Sequence, residues 1–469
     1  MAPVDAPSAA GPAPARRRLW QAGTLIYTGS GLLGLFFWLL WGDFAYYLKE
    51  RSVPMAVQLL LHRYQVSDVV VGFLSGSLPT VIGFLVGPAV AYHSDRHRGR
   101  WGRRIPFLVV PIPLTLLAMA GLAFSPAIGL EVHRILGRWA PGENACMVIA
   151  VAVFWALFEV AAGICYSIFL SLIADVVPRE VIGRFFALFR IVSLTAGILF
   201  NFYILGHVEG HYAPVFLGIG AIYGVAFTAM CLKVKEGGYP PPPAAVGVPG
   251  TGVGSLIRRF AGGARSYCRD CFALPYFRWV FLSYALYWVA MVPLDAFVVF
   301  YAKSLGMSMA TLGKFGAAQL SLSLLQAYPI GWLADRIHPL RMTIVSLFLL
   351  IVSVLVAFCL VHDATSFGIS YVVCGTLTGT WATSAASLPA VLFGRPKFAM
   401  LNSAWLMSGA LGTTVAGPAC GWMLDLRHHD YRYTFLWAGL VGLAAFAVTL
   451  VVYWKFRRYG GPDNYVAPE

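Results

Sequence analysis

Apolar runs of roughly 20 residues recur along the whole 469-residue chain, and each is long enough to cross a bilayer core of about 30 Å as a helix. Lipid offers no partner to a backbone N–H or C=O, so a spanning segment must satisfy its own hydrogen bonds. The runs show none of the alternation of barrel strands, and helices are the remaining solution. They fall at 22–47, 67–92, 105–125, 146–174, 183–206, 213–233, 277–302, 311–335, 340–361, 367–393, 399–424 and 432–456. Composition agrees: 12% of residues are charged and 59% hydrophobic, against about 25% charged in soluble domains. The expected fold class is an all-α polytopic membrane protein of twelve spans.

The spans divide six and six. Residues 234–275, with Pro240 to Pro243 followed by Arg258, Arg259, Arg265 and Arg269, read as a linker with a basic surface segment. The expected organisation is a disordered cytoplasmic tail at 1–19, bundles at 20–233 and 276–457 around the linker at 234–275, and a second tail at 458–469. Two similar bundles predict a central cavity with its site near the midplane.

A net charge of +14 raises nucleic acid as a partner, but the placement of the charge excludes it. Most of the 34 Lys and Arg residues fall in loops on one side, the orientation signal of a protein with both termini in the cytoplasm. Residues 1–19 end in Arg16, Arg17 and Arg18 and have no signal-peptide core, which fits a multi-pass protein of the inner (plasma) membrane. Of eight cysteines, only Cys268 and Cys271 form a C-x-x-C, with no second pair to complete a metal site. No G-x(4)-G-K-[ST] is present, and no hydrolase constellation. Neither cofactor, resident metal nor enzymatic activity is expected. His93, His97, His428 and His429 read as solvated loop residues.

Two loops repeat a motif. Gly87 through Asp95-Arg96 to Gly102-Arg103-Arg104 lies between the second and third runs, and Gly331-Trp-Leu-Ala-Asp335-Arg336 lies after the eighth. A carboxylate at a helix end, paired across the two bundles, can hold one side shut and release when they rock. Asp95, Arg96, Arg103, Arg104, Asp175, Arg184, Asp335 and Arg336 are therefore the expected gating residues.

These motifs resemble the major facilitator superfamily. The string Tyr92-His93-Ser94-Asp95-Arg96, then Gly102-Arg103-Arg104-Ile105-Pro106-Phe107, is similar to sucrose transporters and the wider glycoside–pentoside–hexuronide:cation symporters. Their pattern reads roughly (Tyr/His)-x-Ser-Asp-Arg-x(5)-Gly-Arg-Arg-Arg-Pro-Phe, and Ile105 departs from it. Glu159, sixteen residues before Asp175, stands where that family has an acid implicated in proton coupling. The family's sugar-contacting arginine is replaced by Leu170, and its asparagines by Ala161 and Ala162. The resemblance implies a secondary transporter whose cargo is a glycoside of disaccharide size, such as sucrose or maltose, moved with protons; a monomer is the expected state.

Ionisable groups inside a span cost about 2.5–3.5 kcal/mol at the bilayer centre on insertion scales, so each needs a reason. Four lie well inside the runs: Asp43, Glu159, Arg190 and Asp295. A carboxyl group removed from water can exchange its proton near neutral pH, which suits Glu159 as proton carrier with Arg190 as its modulator. A static Glu159–Arg190 pair that only joins two helices is the structural alternative. Asp43 and Asp295, in the symmetry-related first and seventh spans, have aromatic neighbours as a sugar site requires. With them, Trp41, Trp155, Trp288, Trp381, Asn201, Gln319, Gln326 and Asn402 are the expected cargo contacts. An exporter or carrier of a nucleoside or amphiphile, and a transporter-like solute sensor, remain as other readings.

Overall fold

In the computed structural model, which describes residues 19–238, 269, 271–394 and 397–468, the chain is almost wholly helical. Nine segments among the described residues are long and apolar enough to cross a membrane. In chain order they are α1 (Gly29–Arg63), α2 (Asp68–Arg96), α3 (Ile105–Ala123), α4 (Glu143–Val176), α5 (Ile182–Val208), α6 (Tyr212–Lys233) and α7 (Pro275–Ala296), with α9 (Pro339–Leu360) and α12 (Tyr433–Arg458) later. The longer or more polar helices α8 (Met309–Ile337), α10 (Ala364–Ala385) and α11 (Phe398–Leu426) complete the twelve.

Packing repeats between the halves. In the first, α1 packs on α5 and α6, α2 on α4, and α3 on α4 and α6; in the second, α7 packs on α11 and α12, α8 on α10, and α9 on α10 and α12. Each contact has its counterpart six helices later, the signature of two pseudo-symmetric bundles. The halves meet along α2 with α11 and along α5 with α8.

Small residues set how closely these helices approach. A Cβ on Gly72 would stand 2.1 Å from the carbonyl oxygen of Gly417, and one on Gly313 would stand 2.1 Å from that of Asn201. Both N-half interface helices carry a π-helical turn at this contact, Phe73–Ser77 in α2 and Phe200–Ile204 in α5. Such turns break the regular ladder and often mark functional sites. All these contacts lie toward the end of the bundle away from Leu19 and Val466. Toward the terminal end, Gly83, Gly87 and Gly331 have open space where a side chain would sit. The interface is therefore closed at the far face and looser at the terminal face.

Several boundaries differ from the sequence reading. The largest is α1, which runs 35 residues to Arg63 through Pro54 rather than stopping at 47. Lys49, Glu50 and Arg51 look like a membrane edge, but the bundle interior accepts them. Before α1, Trp20–Ala22 and Leu25–Tyr27 form an antiparallel hairpin turned at Gly23 (φ 56°). Between α3 and α4 a further helix, Ser125–Leu136, packs with its Gly129 against Met147. Residues 1–18 of the expected tail at 1–19 and most of the linker, with Cys268, lie outside the described residues; Cys271 is buried.

Candidate functional site

Between the halves lies a cavity of about 410 Å³. From α1 it receives Tyr47 and Arg51, from α5 Arg190 and Ser193, from α7 Asp295, from α8 Gln319 and Ser323, and from α10 Tyr371, Thr378 and Gly379. An adjoining cavity of about 390 Å³ shares Arg51, Asp295, Gln319 and Tyr371 and adds Glu50, Asn201 and Trp288. Hydroxyl, amide and guanidinium groups thus alternate with aromatic rings and with apolar walls at Met291, Leu294, Phe297 and Phe435. Five of the residues singled out from sequence meet here: Arg190, Asp295, Gln319, Asn201 and Trp288.

Sequence reasoning missed the α1 contribution. Asp295 stands 20 residues past Pro275 in α7, and Lys49 stands 20 past Gly29 in α1. The charged residues of these two spans that line the cavities are Glu50 and Arg51 on α1 and Asp295 on α7, and Asp43 lines neither. The signal is present in the three consecutive charges Lys49, Glu50 and Arg51, which read equally well as the end of a span.

The remaining residues lie elsewhere. Asp43 is fully buried within the first half, and neither carboxylate oxygen has a hydrogen-bond partner among the described residues. Trp41 is 43% exposed and stacks between Phe37 and Phe44, away from the cavity. Trp155 is buried and donates its indole N–H to the Leu74 carbonyl at 2.8 Å. Trp381 is buried against the Tyr287 ring, centroids 3.3 Å apart. Gln326 donates to the Thr376 carbonyl at 2.6 Å and accepts from Thr380 at 3.1 Å, which ties α8 to α10. Asn402, on α11, is half-buried and lines neither cavity. None of these six touches the cavity wall, because each helix turns the residue toward a neighbour or the bundle surface.

Glu159 and Arg190 are not paired. Arg190 faces the cavity and reaches Thr383 Oγ1 of α10 at 3.5 Å. Glu159 is half-buried in α4, and the charged groups acting on it are Glu50 and Lys49. Lys49 Nζ lies 2.6 Å from Glu50 Oε1.

The motif arginines form one network. Arg104 Nη2 lies 2.6 Å from Asp95, Arg103 Nη2 2.6 Å from Asp175, and Arg104 Nε 3.1 Å from Asp175. Glu236, unnoticed in the sequence, accepts the backbone N–H groups of Arg103, Arg104 and Ile105 at 2.9, 2.8 and 2.6 Å. It thereby caps α3, where the helix dipole favours a negative charge. These bonds all lie within the first half, so the expected bridge across the bundles is not what they make. Arg104 is buried and can be held only if its charge is matched locally. Arg184 is exposed on α5, and Arg336 lies 4.1 Å from the Trp332 ring. Arg96 ends α2, and the side chain of Asp335 lies outside the described residues.

Closure across the halves is made at the far face. Asp425 of α11 accepts the N–H groups of Asp68 and Val69 at 2.9 and 3.2 Å, which caps α2 from the other bundle. Asp68 is itself buried, with His429 Nδ1 at 2.7 Å and Tyr431 OH at 3.0 Å. His429 is an exposed loop residue, as expected, whose Nδ1 also joins this cluster. The oxygens of Asp68 and Asp425 are already occupied by these donors.

Residues 280–465 match the family model of the Major Facilitator Superfamily. The structure is similar to that of a bacterial homolog of the human lysosomal transporter Spinster in its inward-facing, unoccupied conformation. The TM-score is 0.64 at 14% identity, covering 93% of this chain and 98% of that one. It is also similar to the peptide transporter POT in complex with sulfate, with a TM-score of 0.63, 16% identity and 92% and 95% covered. A bacterial homologue of the iron transporter ferroportin in its inward-facing state gives 0.63 and 17%, covering 90% and 99%. At these identities the likeness carries the fold: this is a polytopic helical membrane protein with the major facilitator fold.

Proposed function

We propose that this chain, built on the major facilitator fold, is a secondary transporter that moves a glycoside together with protons by alternating access. The observation that carries the reading is the cavity between the halves. Arg51, Arg190 and Asp295 stand there among Gln319, Ser193, Ser323 and Thr378, with Tyr371 and Trp288 to cover an apolar sugar face. Glu159 is the proton carrier, in keeping with the resemblance of its surroundings to sucrose transporters. The terminal face is cytoplasmic by the placement of positive charge, so closure at the far face corresponds to an inward-facing arrangement in the inner (plasma) membrane. A single chain contains the complete cavity.

The test is internal pH in proteoliposomes while mono- and disaccharides are added outside. Acidification with one sugar, lost in Glu159→Gln, supports proton symport and identifies the cargo. Silence across the panel from folded protein sinks sugar symport. A second reading, carriage of an amphiphilic solute, draws on the apolar wall at Met291, Leu294, Phe297 and Phe435 beside the two arginines. Displacement of bound amphiphile by none of the sugars would favour it.

A further inference from the structure

Lys49 has no exposed surface, although it carries a charge in the middle of α1. Its ammonium lies 2.6 Å from Glu50 Oε1 and is enclosed by the rings of Tyr46, Phe158 and Tyr223, at 4.1, 4.9 and 5.2 Å from their centroids. The titratable groups around it come from three helices: Tyr46 and Glu50 on α1, Glu159 and Cys165 on α4, and Tyr223 on α6. One cation therefore faces two carboxyl groups, Glu50 and Glu159. Lys49 can balance only one of the two.

In this arrangement it balances Glu50. Glu159 makes no hydrogen bond or ion pair among the described residues, so it is the group left to carry a proton. Glu50, unlike Glu159, lines the cavity, beside Arg51.

We propose that Lys49 is a counter-ion switch that passes the proton of Glu159 to Glu50, and through Glu50 to the cavity. The ammonium moves from Glu50 to Glu159 as the proton moves the opposite way. Protonated Glu159 and the Lys49–Glu50 pair become the Lys49–Glu159 pair and protonated Glu50. No net charge is created at either stage, which is what a low-dielectric site requires. Glu50 then gives its proton to cavity water, and Arg51 stands next to the carboxylate that remains. The inference rests on the proton-coupled reading above and names the acceptor and the cation that reading lacked.

The test needs no cargo. Infrared spectra of the reconstituted full chain at neutral pH report each protonated carboxyl as a C=O band. Glu159→Gln loses one band. Glu50→Gln, close in shape, loses the same band although Glu159 is intact, because Lys49 is then free to pair with Glu159. Lys49→Met keeps the Glu159 band, since no cation is left to pair with Glu159, while Glu50 stays beside Arg51. A Glu159 band that persists in Glu50→Gln overturns the proposal, as does loss of the Glu159 band in folded Lys49→Met. Should Lys49→Met not fold, Glu50→Gln decides alone. Failure of sugars to acidify vesicles would leave these spectra standing, so the two readings fail separately.

Discussion

Asp425 accepts a hydrogen bond from the backbone N–H of Asp68 at 2.9 Å, so a side chain of the second half caps a helix of the first. Two orphan donors at the start of α2 are satisfied only while the halves are closed at this face. Loss of a helix cap costs about 1 kcal/mol, a factor of about five in an equilibrium. Asp425→Ala should move the population by about that factor toward the state open at this face. Distances between spin labels on the α1–α2 and α11–α12 loops measure it, and an unchanged distribution counts against the latch.

Gly72 and Gly417 touch backbone to backbone, and a Cβ on either would lie 2.1 Å from the other's carbonyl oxygen. Gly72→Val should block closure while leaving each bundle folded. Transport should be lost, with thermal unfolding close to wild type and a cysteine introduced at Ser75 alkylated from the far face at least tenfold faster. Transport at the wild-type rate would refute the steric argument.

Asp175 receives both Arg103 and Arg104, the latter buried. Asp175→Asn removes the charge while keeping the shape, and charge-assisted hydrogen bonds are worth about 1.5–3 kcal/mol. We expect a loss of about 2 kcal/mol in the stability of the first half, read by thermal unfolding in detergent. A shift in the second half instead would mean that the network reaches across the bundles.

Asp430, in the loop before α12, is held below the usual carboxylate range, chiefly by its hydrogen bonds from Arg432. A lowered folded value means stability present above the unfolded value of about 3.9 and lost as pH falls through the folded one. The pair is partly exposed and screened, so its contribution is at most about 1 kcal/mol. Asp430→Asn should therefore lower the unfolding temperature slightly at pH 7 and converge with wild type as pH falls below the usual carboxylate range. A difference that widens in acid would reverse the assignment.

The sequence made the spans legible because lipid imposes one requirement on every residue of a span. It also made the α2–α3 motif legible, since arginines that gather on Asp95 and Asp175 need charge and short spacing. The cavity was half legible. Arg190, Asp295, Gln319, Asn201 and Trp288 were found because a polar residue in a span stands out, but the same rule picked Asp43, Trp155 and Trp381, which face neighbouring helices. Lys49, Glu50 and Arg51 were lost for the opposite reason: three charges together lower local hydropathy enough to imitate a helix end.

By itself, then, the sequence determined that the chain is a two-half helical bundle in a membrane, because apolar length and the backbone's need for internal hydrogen bonds leave no other solution. Only the tertiary structure decided which ionisable groups share a space. Hydropathy is summed along one helix, whereas the partner that makes Lys49 tolerable is a carboxylate and three rings from α1, α4 and α6 together. The cost of a buried charge is set by what surrounds it, and that is known only once the helices have packed.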